Sequence, residues 1–183
     1  MPKASDEMRG INVAVTGPRG SGKTTVLKHV LEQLTANVVA LWSRPLVVDG
    51  QVSGFALRTP DGVLHPFAHV NWHLHPRFMR YGHEAAVFDN LVPALRRWVA
   101  GADVFAFDEL GVMEDSAASF GRFLEELLDS PLAVFLAVKQ EFQGDLIRRV
   151  LGREDLILLD LRTLAPDEAR GEILSLCREA DLL

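Results

Sequence analysis

The chain has 183 residues, of which 48% are hydrophobic and 24% charged, so we expect residues 1–183 to form a single globular domain. The net charge of −6 without a basic cluster argues against nucleic acid as the main partner. A polar tail over residues 1–10, a lone cysteine and the lack of an apolar run near about 20 residues predict a cytoplasmic protein without a membrane partner.

Residues 17–24 form the first chemical feature of the chain, because they fit the phosphate-loop pattern G-x-x-x-x-G-K-[ST]. The preceding residues 11–16 favour a buried strand, and the apolar spacing over residues 26–34 predicts a helix. Strand, glycine-rich loop and helix are the context that this motif requires. The predicted nucleotide-binding residues are Gly17, Pro18, Arg19, Gly20, Ser21, Gly22, Lys23, Thr24 and Thr25.

The residue types of this loop suit phosphate chemistry. Its glycines allow successive backbone N–H groups to turn toward an anion, and the following helix directs its positive dipole end at the same place. Lys23 is expected to bridge the terminal phosphates and to take part in catalysis. The Thr24 hydroxyl is expected to bind Mg²⁺, with ATP, GTP or another nucleoside triphosphate as substrate.

The next elements predict a change of architecture. Residues 37–42 favour a second strand, which we expect to end at the breaker Arg44-Pro45. Within residues 45–70, short β-like pieces are separated by Asp49-Gly50 and Asp61-Gly62, and Asp-Gly is a strong hairpin signal. The pattern predicts a small antiparallel β-meander inserted into a parallel fold, with an irregular loop as the alternative.

Residues 65–83 hold five of the six histidines. His69, His73 and His75 are close enough in sequence to share a metal ion such as Zn²⁺. No cysteine accompanies them and two prolines interrupt the segment, which favours a loop over the nucleotide pocket. Such a loop could contact phosphate, or bind a protein or a small-molecule acceptor.

An acidic pair follows the next buried strand. Residues 104–107 are apolar and lead directly into Asp108 and Glu109. Ligands of open α/β sheets bind at the carboxyl ends of the strands, so both side chains are expected at the nucleotide. Asp108 is predicted to hold Mg²⁺, and Glu109 to orient or deprotonate the attacking water.

The remaining segments alternate between helix and strand, which predicts a mainly parallel sheet flanked by helices, the α/β architecture of P-loop NTPases. Pro93 predicts a break or kink in the first of these helices. The predicted helices are residues 84–100, 117–128, 146–151 and 166–180, and the predicted strands are residues 132–138 and 156–159.

From about residue 11 to about residue 162 the chain resembles one family, the nucleoside-triphosphatases first described from thermophiles, which include the cancer-related nucleoside triphosphatase of animals. The resemblance depends on the phosphate loop, Gly54-Phe55, Tyr81-Gly82, the block Asp108-Glu109-Leu110-Gly111-Val112-Met113-Glu114, Ser116 and Phe120. It implies a P-loop protein that slowly hydrolyses several nucleoside triphosphates with Mg²⁺. It also implies phosphate and Mg²⁺ binding at Gly22, Lys23 and Thr24, with Asp108 and Glu109 as the acidic pair.

The chain departs from this family at three places. Val112 replaces a basic residue, Leu161-Arg162 replaces an asparagine-arginine pair, and Trp42-Ser43-Arg44 replaces the tyrosine-threonine that enters the meander. These changes bear on base contacts and on catalysis rather than on phosphate binding. The candidates for stabilising charge on the transferred phosphoryl group are Arg19, Arg44 and Arg162.

Three functions agree with the sequence. The first is hydrolysis of nucleoside triphosphates. The second is a nucleotide or small-molecule kinase, in which Arg148, Arg149 and Arg153 would close over the phosphates as a lid. The third is an accessory NTPase or switch in metal-cofactor assembly. Specificity for guanine is not favoured, because residues 138–141 read Val-Lys-Gln-Glu where guanine-specific proteins place N-K-x-D.

Overall fold

The computed structural model describes residues 10–73, 77–139 and 144–183, in which nine strands form one sheet. The strands are β1 (Asn12–Thr16), β2 (Val38–Val48), β3 (Gln51–Arg58), β4 (Leu64–His69), β5 (Arg77–Phe78), β6 (Tyr81–His83), β7 (Val104–Leu110), β8 (Ala133–Val138) and β9 (Leu156–Asp160). The helices are α1 (Lys23–Leu31), α2 (Ala86–Val99), α3 (Ala118–Leu128), α4 (Asp145–Leu151) and α5 (Pro166–Glu179). The strand order is β5-β6-β4-β3-β2-β7-β8-β1-β9.

Strands β2, β7, β8, β1 and β9 pair in parallel and form one half of the sheet. Strands β1 and β8 are buried along their whole length, because helices cover both faces of the sheet, and their only polar residues are Asn12 and Thr16 at the ends of β1. Helices α1 and α5 pack on one face, and α2, α3 and α4 pack on the other. The predicted α/β fold, with a parallel sheet flanked by helices, is confirmed.

The other half of the sheet is antiparallel. We call β3 to β6 and residues 43–48 of β2 the wing; its strands pair in the order β2-β3-β4-β6-β5. Asp49 and Gly50 both have positive φ angles, 49° and 73°, as a two-residue hairpin turn with the right-handed strand twist requires. The predicted antiparallel meander is therefore present, and its pairing begins at Trp42.

The prediction that the second strand ends at Arg44-Pro45 is wrong. Strand β2 continues without interruption to Val48. It pairs with β7 only as far as Trp42, so residues beyond that position have β3 as their one neighbour. A proline removes a ladder hydrogen bond from a central strand but is tolerated where one edge is unpaired.

The histidine-rich segment also differs from the expected loop. Its first residues belong to β4, and its last part forms β5 and β6. Gly82 of β6 lies against the backbone of Trp72, because a Cβ atom there would be 2.3 Å from the Trp72 carbonyl oxygen. Trp72 therefore packs against β6, and His75 lies outside the described residues.

Pro93 does not break the helix, because α2 runs from Ala86 to Val99 as one element, and a kink there stays a prediction. Pro93 is exposed, so the carbonyl oxygen of Asp89 that loses its helical donor can turn to water. Across the described ranges, no helix is both long enough and apolar enough to cross a membrane.

The core between the sheet and helices α2 and α3 is rich in phenylalanine. Phe120 of α3 is fully buried, and its ring centre lies 5.5 Å from that of Phe88 and 5.3 Å from that of Phe107. Edge-on contacts of this kind are favourable for aromatic rings. They fix α3 on β7, the strand that carries Asp108 and Glu109.

Candidate functional site

The loop between β1 and α1 has the backbone geometry of an anion cradle. Gly17, Gly20 and Gly22 all have positive φ angles of 141°, 80° and 101°, which other residues rarely adopt. A side chain at Gly17 would also collide with its surroundings, because its Cβ would lie 2.9 Å from Ser21 Oγ. Gly22 precedes the first residue of α1, so the helix N-terminus faces the loop.

Lys23 and Ser21 supply polar side chains to this cradle. Lys23 is 6% exposed, and its ammonium donates to the carbonyl oxygens of Gly17 at 2.8 Å and Pro18 at 3.0 Å. The Ser21 hydroxyl is buried without a partner among the described residues. A buried hydroxyl is costly without a hydrogen bond, and a phosphate oxygen would satisfy it. The loop thus fits a phosphate group.

Thr24 and Asp108 come together at the mouth of the loop. The Thr24 hydroxyl donates to Asp108 Oδ1 at 2.8 Å, and Asp108 is only 3% exposed. Burial raises the pKa of Asp108 to about 6, although the hydrogen bond from Thr24 acts in the opposite direction. Two adjacent oxygen ligands, one a carboxylate, are the chemistry that Mg²⁺ prefers.

Glu109 is directed into the same pocket by a β-bulge. The register of β7 against β8 runs from Asp108 opposite Ala137 to Leu110 opposite Val138, so Glu109 has no partner of its own. A bulge turns a side chain away from the regular alternation of a strand. The pocket has a volume of about 200 Å³ and is lined by Gly20, Gly22, Lys23, Thr24, Thr25 and Glu109.

The strand order creates room for a ligand at this edge. Strand β8 lies between β1 and β7, so the phosphate loop and the acidic pair are two strand spacings apart, about 10 Å across the sheet. The chain leaves β1 toward β2 on one face and leaves β8 toward β9 on the other face. This is a topological switch point, where open α/β sheets bind ligands at the carboxyl ends of their strands.

The three candidate arginines for phosphoryl charge lie in different surroundings. Arg162 donates from Nε to both carboxylate oxygens of Asp160, at 3.0 Å and 2.9 Å. Arg19 is exposed in the loop. The guanidinium of Arg44 lies 6.0 Å from the ring centre of Trp42, which pairs in register with Asp108. Arg44 therefore lies two residues beyond the last position that pairs with the acidic strand, without an ion pair to a described residue.

The predicted arginine lid is not formed in this structure. Each of the three arginines is held by acidic residues: Arg148 by Asp145, Arg149 by Glu125, and Arg153 by Asp129 and Asp155. Arg153 also donates to the carbonyl oxygen of Leu128, where α3 ends and the strands have their amino ends. It lies at the edge of the sheet opposite to the phosphate loop.

The described histidines are not part of the pocket wall. Its lining within the described ranges includes no histidine. His69 accepts a hydrogen bond from the backbone of Asn71 at 3.1 Å, and its ring centre lies 6.2 Å from that of Trp72. The parts of the chain that the structure describes contain no group of three metal-ligating side chains. Because His75 is outside them, the metal site of His69, His73 and His75 stays a prediction.

Sequence analysis missed two charged residues of this region, Lys139 and Glu114. Lys139 follows β8 directly, and its ammonium forms an ion pair with Glu109 Oε2 at 2.8 Å. Glu114 is 3% exposed and accepts a hydrogen bond from the backbone of Gly111 at 2.8 Å. The position of Lys139 at the carboxyl end of a buried strand was a signal that could have identified it.

Burial raises the pKa of Glu114 to about 7, against the opposing effect of Lys139. Since an unfolded glutamate titrates near about 4.3, the folded protein binds this proton more tightly. The stabilisation of the folded protein by this bound proton is complete below about pH 4.3 and is lost as the pH rises to about 7. The loss relative to Glu114→Gln should be on the order of 2 kcal/mol between pH 5 and pH 8.

Thermal unfolding of both proteins at several pH values, without nucleotide or divalent cations, measures this effect. The wild type should lose several degrees of Tm relative to Glu114→Gln as the pH rises. Asp108 titrates in both proteins, so it cancels in the difference. A difference that does not change with pH would show that Glu114 is ionised throughout.

Comparisons with known proteins agree with this arrangement. The family described as NTPase matches residues 12–174. The chain is 31% identical to the nucleoside-triphosphatase THEP1 of Methanothermobacter thermautotrophicus over 151 residues, which are 80% of this chain and 84% of that protein. It is 29% identical to THEP1 of Thermococcus kodakarensis over 140 residues, 72% of this chain and 78% of that protein.

Two solved structures share the fold. The crystal structure of THEP1 from Aquifex aeolicus aligns with a TM-score of 0.77 at 24% identity, over 90% of this chain and 98% of that one. The solution structure of a human cancer-related nucleoside triphosphatase aligns with a TM-score of 0.73 at 20% identity, over 92% and 97%. At these identities the likeness extends to the fold alone.

Proposed function

The chain belongs to the NTPase family, and we propose that it hydrolyses nucleoside triphosphates to the diphosphate and phosphate in a Mg²⁺-dependent reaction. One observation carries the proposal: the carboxylate of Glu109 lines the same pocket as the phosphate loop. A proton acceptor is thereby placed beside a phosphate cradle, which is the arrangement that attack by water requires.

In this proposal the residues of the loop bind and orient the triphosphate. The backbone N–H groups from Gly20 to Thr24 and the N-terminus of α1 hold the phosphate oxygens. The ammonium of Lys23 stabilises negative charge on the terminal phosphate, in the ground state and more strongly as charge develops. The Ser21 hydroxyl, which has no partner among the described residues, donates to a phosphate oxygen.

Thr24 and Asp108 would hold Mg²⁺, the threonine directly and the carboxylate directly or through water. When bound, the ion supplies positive charge that neutralises the phosphate oxygens. Glu109 then orients a water molecule toward the terminal phosphate and takes its proton. Among the arginines, Arg44 is our candidate for additional charge stabilisation, since Arg162 is engaged by Asp160.

We expect no guanine recognition of the N-K-x-D kind. The Lys139 side chain, which lies in the segment compared with N-K-x-D, is engaged by Glu109 rather than available to a base. No observation within the described ranges favours the kinase or the metal-assembly alternative, because the lid arginines are ion-paired and no metal cluster is present there.

Phosphate release from ATP, GTP, CTP and UTP, with Mg²⁺ and with EDTA, tests the proposal. We expect release from several nucleotides that stops when the cation is removed. Tight binding of nucleotide without release from any of them would contradict hydrolysis as the function, and would indicate an acceptor instead.

Lys23→Ala should weaken both binding and turnover, because the ammonium contacts the phosphates before and during transfer. Losing a charge-assisted contact of this kind costs about 2–3 kcal/mol, so the affinity should fall by roughly 30- to 150-fold. Fluorescent-nucleotide titration and phosphate release measure the two effects. Lys28 is partly buried and acts electrostatically on Asp108, so Arg170→Ala in α5 serves as the control instead. Unchanged affinity in Lys23→Ala would contradict the assignment.

A further inference from the structure

Lys139 occupies a position that the proposed reaction does not yet use. It is the residue directly after β8, the strand between the phosphate-loop strand β1 and the acidic strand β7. Its backbone N–H donates to the Leu110 carbonyl oxygen at 2.9 Å, which closes the sheet beyond the bulge at Glu109. The backbone of Lys139 is therefore held next to β7, the strand that carries Asp108 and Glu109.

The side chain of Lys139 holds one of the two carboxylate oxygens of Glu109. Its ammonium lies 2.8 Å from Glu109 Oε2, and the side chains of lysine and glutamate are 37% and 25% exposed. A bulged residue lacks the regular ladder contacts that would fix its direction. The ion pair supplies a substitute, since one carboxylate oxygen is held and the other remains for a water molecule.

Neighbouring groups pack against the side chain of Lys139. A Cβ atom at Gly111 would lie 3.4 Å from the Cδ of Lys139 and 3.4 Å from Glu114 Oε2, so both side chains pack closely around this glycine. The ring centre of Phe55, in the wing, is 5.9 Å from the ammonium. The ammonium thus has one carboxylate partner, Glu109, and an aromatic ring nearby, while Glu114 is bound to the backbone of Gly111.

We propose that Lys139 is a positioning residue, which holds the carboxylate of Glu109 toward the phosphate loop for its action on water. The inference rests on the proposed hydrolysis and names a residue that the phosphate-loop and acidic-pair motifs do not contain. Lys139 acts through Glu109, the carboxylate with which its ammonium forms an ion pair.

The test compares Lys139→Met, which keeps the length and removes the charge, with Lys139→Arg, which keeps the charge. We expect kcat of Lys139→Met to fall about tenfold with KM unchanged, because a misplaced catalytic group lowers the rate without weakening nucleotide binding. Lys139→Arg should recover most of the rate. Arg96→Met, which breaks the exposed ion pair with Glu126, is the matched control and should retain the wild-type kcat.

The double variant with Glu109→Gln separates positioning from a general structural role. If Lys139 acts through Glu109, adding Lys139→Met to Glu109→Gln should lower kcat no further. The proposal would be overturned if Lys139→Met lowered kcat as much in Glu109→Gln as in the wild type. It would also be overturned if Lys139→Met alone raised only KM, or raised kcat above that of the wild type. A raised kcat would mean that the ion pair restrains Glu109 instead.

A double-mutant cycle of Tm values on the same variants tests the Lys139–Glu109 contact without relying on hydrolysis. The Tm losses of Lys139→Met and Glu109→Gln should not add, with a difference of about 1–3 °C in the double variant. Additive losses would show that the pair is not formed in solution. If the wild type released no phosphate, the proposed function would fail, while this cycle would still decide whether Lys139 holds Glu109.

Discussion

Glu109→Gln should lower phosphate release by about 10²- to 10⁴-fold, the usual contribution of a positioned proton acceptor. The amide has the same size as the carboxylate but cannot take a proton from water. The phosphate loop, Lys23 and the Thr24–Asp108 pair do not depend on this side chain, so nucleotide affinity should stay within about threefold of the wild type. Single-turnover phosphate release and nucleotide titration measure both quantities.

Glu126→Gln is the matched control for this change. It removes the same charge and also breaks an ion pair, to Arg96, on the exposed surface of α3. Its rate should equal that of the wild type. Normal turnover in Glu109→Gln would contradict the assigned role, and a loss of affinity as large as the loss of rate would place Glu109 in ground-state binding instead.

Phe120→Ala should have the largest effect on stability among single substitutions in the core, about 3–5 kcal/mol. The side chain is fully buried, and three aromatic rings, of Phe88, Phe107 and Phe123, lie within 6.4 Å of it. Removing the ring leaves a cavity that these rings cannot all fill. Against a typical total of about 5–15 kcal/mol, the variant would keep only part of its stability.

Urea unfolding at equilibrium measures the free energy of unfolding of this variant. Phe120→Leu, which keeps most of the volume, should lose less than the alanine variant. Met79→Ala, at a side chain that is 77% exposed, should stay within about 0.5 kcal/mol of the wild type. A loss below about 1 kcal/mol in Phe120→Ala would show that the surrounding rings collapse into the space.

Much of the parallel half of the sheet could be predicted because its signals are local. Strands β1, β7 and β8 each contain a buried apolar run, and Asp49-Gly50 is a strong hairpin signal between strands. The two expected breaks at proline are absent for one reason. Whether Pro45 breaks β2, or Pro93 breaks α2, depends on which side of the element faces a neighbour, and this information is not local.

The candidate site also has parts that local sequence predicts and parts that depend on the fold. The phosphate loop is contiguous, and Asp108 and Glu109 could be placed by the rule that ligands bind at the carboxyl ends of strands. The partnership of Lys139 with Glu109 required the strand order, in which β8 neighbours β7. The ion pairs that hold the lid arginines could not be predicted, because Glu125 and Asp129 are 24 residues away in sequence from Arg149 and Arg153.

The pairing of β2 has a consequence for motion. Trp42 is the only register position in the described sheet at which β2 pairs with both β7 and β3, so the wing and the parallel half share a one-residue junction. Two cooperative units joined in this way can open at different free energies. The packing of the wing opposes such opening, because Phe67 of β4 is 3% exposed and its ring centre lies 5.0 Å from that of Phe88 in α2. Any local opening of the wing would therefore expose part of the core that it shares with the parallel half.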